Sequence, residues 1–488
     1  MKNFLSIDQG TTSSRAIIFN STLEPIADSQ EEYSLSYPKD GWVEANPHEI
    51  LNTVNNSIKN VLNQVSENIT SCGITNQRET TIVWSKDTGE PIYPAIIWQD
   101  RRTDDLCKSL KAQGHEEMIK QKTGLVLDPY FSATKIQWIL NNVPNARKRA
   151  ECGELLFGTV DSFLIFNLSK QKNHMTDVTN ASRTMLFNIN NMSWDKDLLD
   201  LFDIPFSMMP EVNSCDGDFG TLNLNDININ GVIGDQQSAL VGQNCINYGD
   251  MKSTYGTGCF LMVNTKEKLV RSQDGLLTTV AYTLNNETNY ALEGSIYSCG
   301  NIIQWLRDKM EFFASAKESE LFLNSNGESG NVHFLPAFNG LGAPYWNSDI
   351  RGGFQGITQS SDKKDFVTAA FKSICYQTKD IIKSLNNKEI FINDLLVDGG
   401  MTSNSTFCQL LSDSLEIDIS KPSNIESTAL GACVVSQISG GVALEDIKNK
   451  LDKKFISNEE NLSFYKSDYR AWKKYVESSI TNLKEKQF

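Results

Sequence analysis

A chain of 488 residues is longer than one compact core organises, which implies two domains, or three if one is small. Its formal net charge of −15 leaves no broad basic face, which argues against nucleic acid or a membrane surface as partner while allowing a local cationic site for a small anion. No apolar run approaches the length that spans a bilayer and Met1–Asp8 is too short for a signal peptide, so a soluble, cytoplasmic chain without membrane insertion is expected.

Near the start, the apolar run Phe4–Ile7 leads into Asp8-Gln9-Gly10-Thr11-Thr12-Ser13-Ser14-Arg15 and Ala16–Phe19 leaves it, which predicts strand, tight turn, strand. Pro47–Val65 then carries Ile50, Val54, Ile58, Val61, Leu62 and Val65 as one helical stripe. Ile69–Thr75 reads as a strand entering Asn76-Gln77-Arg78-Glu79-Thr80, followed by a hairpin whose turn is Lys86–Gly89. Helices are predicted over Arg102–Leu110 and His115–Lys122. A short strand, Val232–Gly234, ends at Asp235, and helical spacing resumes over Gln236–Asn244.

At Met251 the pattern restarts: Met251–Tyr255, the turn Gly256-Thr257-Gly258, then Cys259–Val263. The domain boundary is therefore placed near residue 245, giving 1–245 and 246–488. Leu292–Asp308 includes Gly300 and the helical run Ile302, Ile303, Trp305, Leu306. A Pro/Gly-rich loop spans Leu335–Gly356 and a long helix covers Asp362–Leu385. Leu395–Val397, with Phe391 and Ile392 upstream, predicts a buried strand entering Asp398-Gly399-Gly400, with a helix after it. Tyr469, Trp472, Val476, Ile480 and Leu483 mark a terminal amphipathic helix. A hairpin followed by strand-helix alternation in each half indicates an α/β fold with mixed sheets. The ten cysteines are scattered without a CxxC pair and read as reduced buried thiols, and four widely spaced histidines argue against a zinc site.

A Gly/Thr turn between strands surrounds one concavity with backbone N–H groups and hydroxyls, which suits phosphate oxygens. Such a turn alone is usually only a turn. Asp8, the hydroxyl run and Arg15 add a magnesium partner, donors and a charge clamp, and the second copy at Gly256 suggests two halves holding a nucleotide between them.

Read together, these segments resemble the glycerol kinases of the FGGY carbohydrate kinase family. The resemblance runs nearly end to end, through Asp8–Arg15, Gly73-Ile-Thr-Asn-Gln-Arg-Glu-Thr80, Ile97-Trp-Gln-Asp-Arg-Arg-Thr103, Tyr130–Ile139, Thr179-Asn-Ala-Ser-Arg-Thr184, Gly234-Asp-Gln-Gln237, Tyr255-Gly-Thr-Gly-Cys-Phe260, Gly353–Ile357 and Val397-Asp-Gly-Gly400. It implies a two-domain actin-like fold, each domain a ribonuclease-H-like mixed sheet flanked by helices. It also implies ATP- and Mg²⁺-dependent phosphorylation of glycerol to sn-glycerol 3-phosphate, the first step of glycerol catabolism, in a homo-oligomer (dimer or tetramer).

Such an enzyme needs a cationic cradle for the triphosphate and a small pocket that fixes several hydroxyls. Arg78 donates and Glu79 accepts, so the two could satisfy adjacent hydroxyls; the alternative is a solvated ion pair at a strand end. The rings of Trp98, Tyr130 and Phe260, matched to the family, would cover the C–H face of a triol. Asp235, at a strand end before a helix, reads as general base or as a helix N-cap; the resemblance assigns it the base role and gives Gln236 a substrate contact. Asp8 would position Mg²⁺ through water, Thr11, Thr12 and Ser13 would donate to phosphate oxygens, and Arg15 would offset charge on the transferring group. In the second half, the resemblance places nucleotide contacts at Thr257, Gly300, Gln304, Gly400 and Asn404; Ser405 stands where many relatives repeat asparagine.

Two alternatives stay open: a kinase of this family for another polyol or a ketose, and an actin-like ATPase that activates water and has no use for the Arg78, Glu79, Trp98, Tyr130 set. One departure is informative. Some bacterial relatives bind fructose 1,6-bisphosphate through a Gly-Gly-Thr-Arg loop before the Gly-Asp-Gln-Gln motif, or carry a phosphorylatable histidine there. Here Gly220–Gly231 contains no arginine, lysine or histidine, so both controls are expected to be absent.

Overall fold

The computed structural model describes residues 2–272, 274–323, 330–386, 390, 392, 394–423, 426–446 and 451–485. Phe391, counted above with a predicted strand, lies outside them. Each half of the chain builds its own mixed sheet. In the first, the order across the sheet is Ile229–Gly234, Ile69–Asn76, Asn3–Gln9, Ser13–Phe19, Pro25–Glu32, with the first three parallel and the last two added antiparallel as hairpins. The second sheet repeats this motif: Asp418–Pro422, Asp394–Asp398 and Met251–Tyr255 run parallel, and Cys259–Lys266 and Glu287–Ile296 follow antiparallel. Leu277–Leu284 and Leu451–Phe455 complete its two edges. Parallel strands need crossover helices on the sheet faces, which is why helical segments separate them in the sequence. This is the two-domain actin-like arrangement expected from the sequence.

Register explains where chemistry collects. In the first sheet Gln9 lies opposite Asn76, and Asn76 opposite Gly234, so three parallel strands release Asp8–Thr11, Gln77–Glu79 and Asp235 at one edge. In the second, Thr254 lies opposite Asp398, which brings the Gly256–Gly258 turn beside Gly399-Gly400. Helix Pro47–Leu62, capped by Asn46 accepting from the His48 N–H, covers one face of the first sheet against Ser13–Phe19 and Pro25–Glu32.

The other face of the first sheet is covered by a helix from late in the chain. Ser427–Ile438 packs on Asn3–Gln9, Ile69–Asn76 and Ile229–Gly234 and crosses helix Asp235–Gly242. The crossing is close because both helices present glycine there: a Cβ on Gly431 would lie 1.9 Å from the Ser238 carbonyl oxygen, and one on Gly242 would lie 2.0 Å from that of Ser427. Ser6 Oγ donates to the Ala429 carbonyl (2.7 Å), fixing the helix to the sheet. An apolar cluster that includes Phe4, Phe19, Leu240, Met262, Val280 and Val434 fills the junction.

Most predicted elements form with shifted ends: helices run over Asp104–Ala112, Glu116–Thr123, Lys363–Asn386 and Leu462–Glu485. Two differ in kind. The turn at Lys86–Gly89 exists, with the Gly89 N–H bonded to the Ser85 carbonyl, but strand Ile82–Ser85 takes its ladder partner from Leu155–Gly158, and the expected hairpin return is a single bridge at Pro91. The Leu335–Gly356 stretch is closed at its base by strands His333–Leu335 and Gly353–Gln355.

Candidate active site

The edges of the two sheets face each other across a small pocket of about 140 Å³. Arg78, Glu79, Trp98, Tyr130, Asp235 and Gln236 line it from the first half, and Thr254, Gly256–Gly258 and Phe260 from the second. Trp98 meets Tyr130 and Phe260 edge-to-face, at centroid distances of 5.8 and 5.7 Å, so three rings form a rigid apolar wall. Trp98 Nε1 donates to Thr11 Oγ1 (3.0 Å), which ties this wall to the first glycine-threonine turn.

The polar wall is a buried ion network. Arg78 gives a bidentate pair to Glu293 (2.6 and 3.0 Å), a bond to Gln237 Oε1 (3.1 Å) and an Nε–H contact to Asp235 Oδ1 (3.1 Å). Arg183 bonds Glu79 through Nε (2.6 Å) and Glu293 through a terminal nitrogen (2.9 Å). The alternative of a solvated Arg78–Glu79 pair is thereby corrected: both are buried, 4.0 Å apart, and each is held mainly by another residue. Glu79 occupies the left-handed backbone region, with φ of 60°, at the bend that turns its carboxylate into the pocket. Burial opposes the charge of Glu293, but Arg183 and Arg78 outweigh it and hold its pKa down at about 2. Enclosure raises the Asp235 pKa, and Arg78 and Lys252 oppose the rise.

The N-cap reading of Asp235 is corrected too: Gly234 is the cap, and Asp235 is the first helical residue, its Oδ1 accepting the Gln236 N–H (2.7 Å). Gly234 is itself held from outside its sheet. Asp177 accepts from the Thr179 hydroxyl, which in turn accepts the Gly234 N–H (2.8 Å), fixing the backbone that presents Asp235.

A second cavity of about 520 Å³ opens on the other side of the Gly256-Thr257 turn. Thr257, Gly300, Gln304, Gly400 and Asn404 all line it, so the five nucleotide contacts predicted in the second half fall in one place, while Thr11 lines the small pocket. A Cβ on Gly400 would meet nothing within 4 Å, so its missing side chain leaves open room beside the backbone. Asn404 Oδ1 caps the following helix through the Phe407 N–H (2.9 Å), while its buried Nδ2 has no hydrogen-bond partner.

Asp8, Thr12, Ser13 and Arg15 line neither cavity. Arg15 pairs with Asp28 (3.1 Å) and, across the two halves, with Glu426 (2.5 Å), so in this structure it is engaged in ion pairs. Asp8 has its pKa raised to about 7 by burial and by the carboxylates of Asp235 and Glu426, against the pull of Arg15. Sequence reasoning assigned no role to Glu293, Arg183 or Lys252. Arg183 was visible only as part of the Thr179–Thr184 motif; Glu293 and Lys252 sit in strands with no local signal.

Comparison with known proteins agrees with this geometry. Residues 3–242 match the N-terminal domain of the FGGY family of carbohydrate kinases and residues 251–439 match its C-terminal domain. The chain is 47% identical to a glycerol kinase of a Marinomonas species over 97% of this chain and 98% of that one. It is 46% identical to the glycerol kinase of Oceanobacillus iheyensis over 98% of each. Its structure superposes on the Plasmodium falciparum glycerol kinase, solved with ADP, with a TM-score of 0.88 at 36% identity and 98% coverage of both chains. The chain belongs to the FGGY family of carbohydrate kinases.

Proposed function

We infer that this chain phosphorylates glycerol with ATP, giving sn-glycerol 3-phosphate and ADP. The observation that carries this reading is the meeting of two cavities at one turn: a small pocket with an aromatic wall and a polar wall, and a larger nucleotide-sized cavity, both bounded by Gly256-Thr257. We propose that the division near residue 245 separates the two working lobes. The rings of Trp98, Tyr130 and Phe260 take the carbon face of glycerol, and Arg78, Glu79 and Gln236 take its hydroxyls. Asp235 accepts the proton of the attacking hydroxyl as its oxygen bonds to the γ-phosphorus and the bond to ADP breaks. Arg78 Nε, 3.1 Å from Asp235 Oδ1, favours the ionised carboxylate against the enclosure that raises its pKa.

Asp8 fits a magnesium site. Its carboxylate feels those of Asp235 and Glu426, whose repulsion a divalent cation would relieve; among the described residues no cluster of three metal-ligating side chains is assembled, so the ion would be held mainly through water and phosphate. Bound there, Mg²⁺ would neutralise charge on the phosphates. Among the described residues no helix is long and apolar enough to cross a membrane. Free cysteines, nine of the ten buried, suit a reducing cytoplasm. The homo-oligomer, dimer or tetramer, is carried over from the family.

An ATP-coupled assay across glycerol, dihydroxyacetone, erythritol, ribitol and xylulose tests the substrate. The aromatic wall makes the pocket short, so glycerol and dihydroxyacetone should react while ribitol is excluded; equal kcat/KM for glycerol and ribitol would remove the aromatics from that role. Millimolar fructose 1,6-bisphosphate should leave the rate unchanged, because Lys170, which reaches the Gly220–Gly231 loop, is paired with Asp226. Saturable inhibition abolished by substitutions within Leu222–Asn230 would contradict this.

A further inference from the structure

Lys252 lies in strand Met251–Tyr255 and its side chain is fully buried beside the polyol pocket. A buried ammonium carries a desolvation cost that a methionine of similar length would avoid. Among the described residues Lys252 forms no ion pair; its donors go to two neutral oxygens that belong to pocket-lining residues, Gln236 Oε1 (2.6 Å) and Thr254 Oγ1 (3.0 Å). Burial lowers its proton affinity, Asp398, Asp235 and Glu293 favour the charged form, and Arg78 opposes it. An ammonium has no acceptor, so the Gln236 atom that faces it is the amide oxygen. The amide N–H₂ is the end left for the pocket.

We propose that Lys252 is a positioning residue that locks the Gln236 amide so that it meets the substrate as a hydrogen-bond donor only. The reason lies in the neighbouring residue. The reacting hydroxyl must give its one proton to Asp235, and an amide oxygen beside it would compete for that proton. An N–H₂ group instead donates to the hydroxyl oxygen and leaves the proton directed at the base. The inference rests on reading Asp235 as base and Gln236 as a substrate contact.

The test is a double-substitution cycle with glycerol kinetics and thermal melting of the wild type, Lys252→Met, Gln236→Ala and the double variant. Lys252→Met should keep its melting midpoint and lose roughly 10–100-fold in kcat/KM, whereas in the Gln236→Ala background it should cost less than about 3-fold, because the group it positions is gone. Wild-type kcat/KM for Lys252→Met, or an equal loss in both backgrounds, would overturn the proposal. Gln236→Glu supplies a check that leaves Lys252 in place: it keeps the size and the bond to Lys252 but offers the substrate only acceptors. Its kcat/KM should fall below that of Gln236→Ala, and a value within about 3-fold of wild type would overturn the donor role. If the wild type ignores glycerol, the substrate reading fails by itself, and the same ratios are read with the polyol or ketose it does turn over.

Discussion

Replacing Asp235 by asparagine should lower kcat by roughly 10²–10⁴-fold while leaving KM for glycerol within a few-fold of wild type. The amide is isosteric and its oxygen can still accept from the Gln236 N–H and lie beside Arg78 Nε, so the strand end and the pocket wall keep their shape. What is lost is the basic site for the hydroxyl proton. Steady-state kinetics with saturating Mg·ATP check this, and a near-wild-type kcat would return Asp235 to a purely structural part.

Arg78→Ala should act on stability as well as binding. Arg78 is buried and shares Glu293 with Arg183, so its removal leaves Glu293 Oε2 without its guanidinium partner in a water-poor interior. Breaking such a pair costs about 3–5 kcal/mol, which should appear as a lower melting midpoint. KM for glycerol should rise strongly at the same time, because the side chain touches substrate in ground and transition states alike. Arg78→Lys should rescue little, since a single ammonium cannot reproduce the bidentate grip on Glu293 together with the Nε ion-pair contact to Asp235. An unchanged midpoint and an unchanged KM in Arg78→Ala would remove it from both roles.

Much of the site was legible because its parts are local. The glycine-threonine turns, Arg78 and Glu79, and Asp235 before a helix each carry their chemistry within a few adjacent residues, and parallel pairing then brings their strand ends to one edge. The nucleotide side was legible through family motifs, and all five residues line one cavity. What stayed hidden depends on long-range contact. Glu293 lies 215 residues from Arg78, and a lone acid in a β-rich segment reads as an exposed face until its partners are known. Lys252 is similar, a lysine within strand Met251–Tyr255 that folding encloses. Arg15, expected to offset charge on the transferring group, also pairs with Glu426 from the other half, a contact no local pattern announces. Helix Ser427–Ile438, whose sequence says apolar on every side, gives no hint that it packs on the first sheet.

The most direct test of the account is to incubate the enzyme with Mg·ATP and glycerol and couple the product to a dehydrogenase specific for sn-glycerol 3-phosphate. One equivalent of coupled product per ADP formed is expected, with the signal reduced at least 100-fold in Asp235→Asn. ADP release without sn-glycerol 3-phosphate, or turnover of a pentulose and none of glycerol, would contradict it.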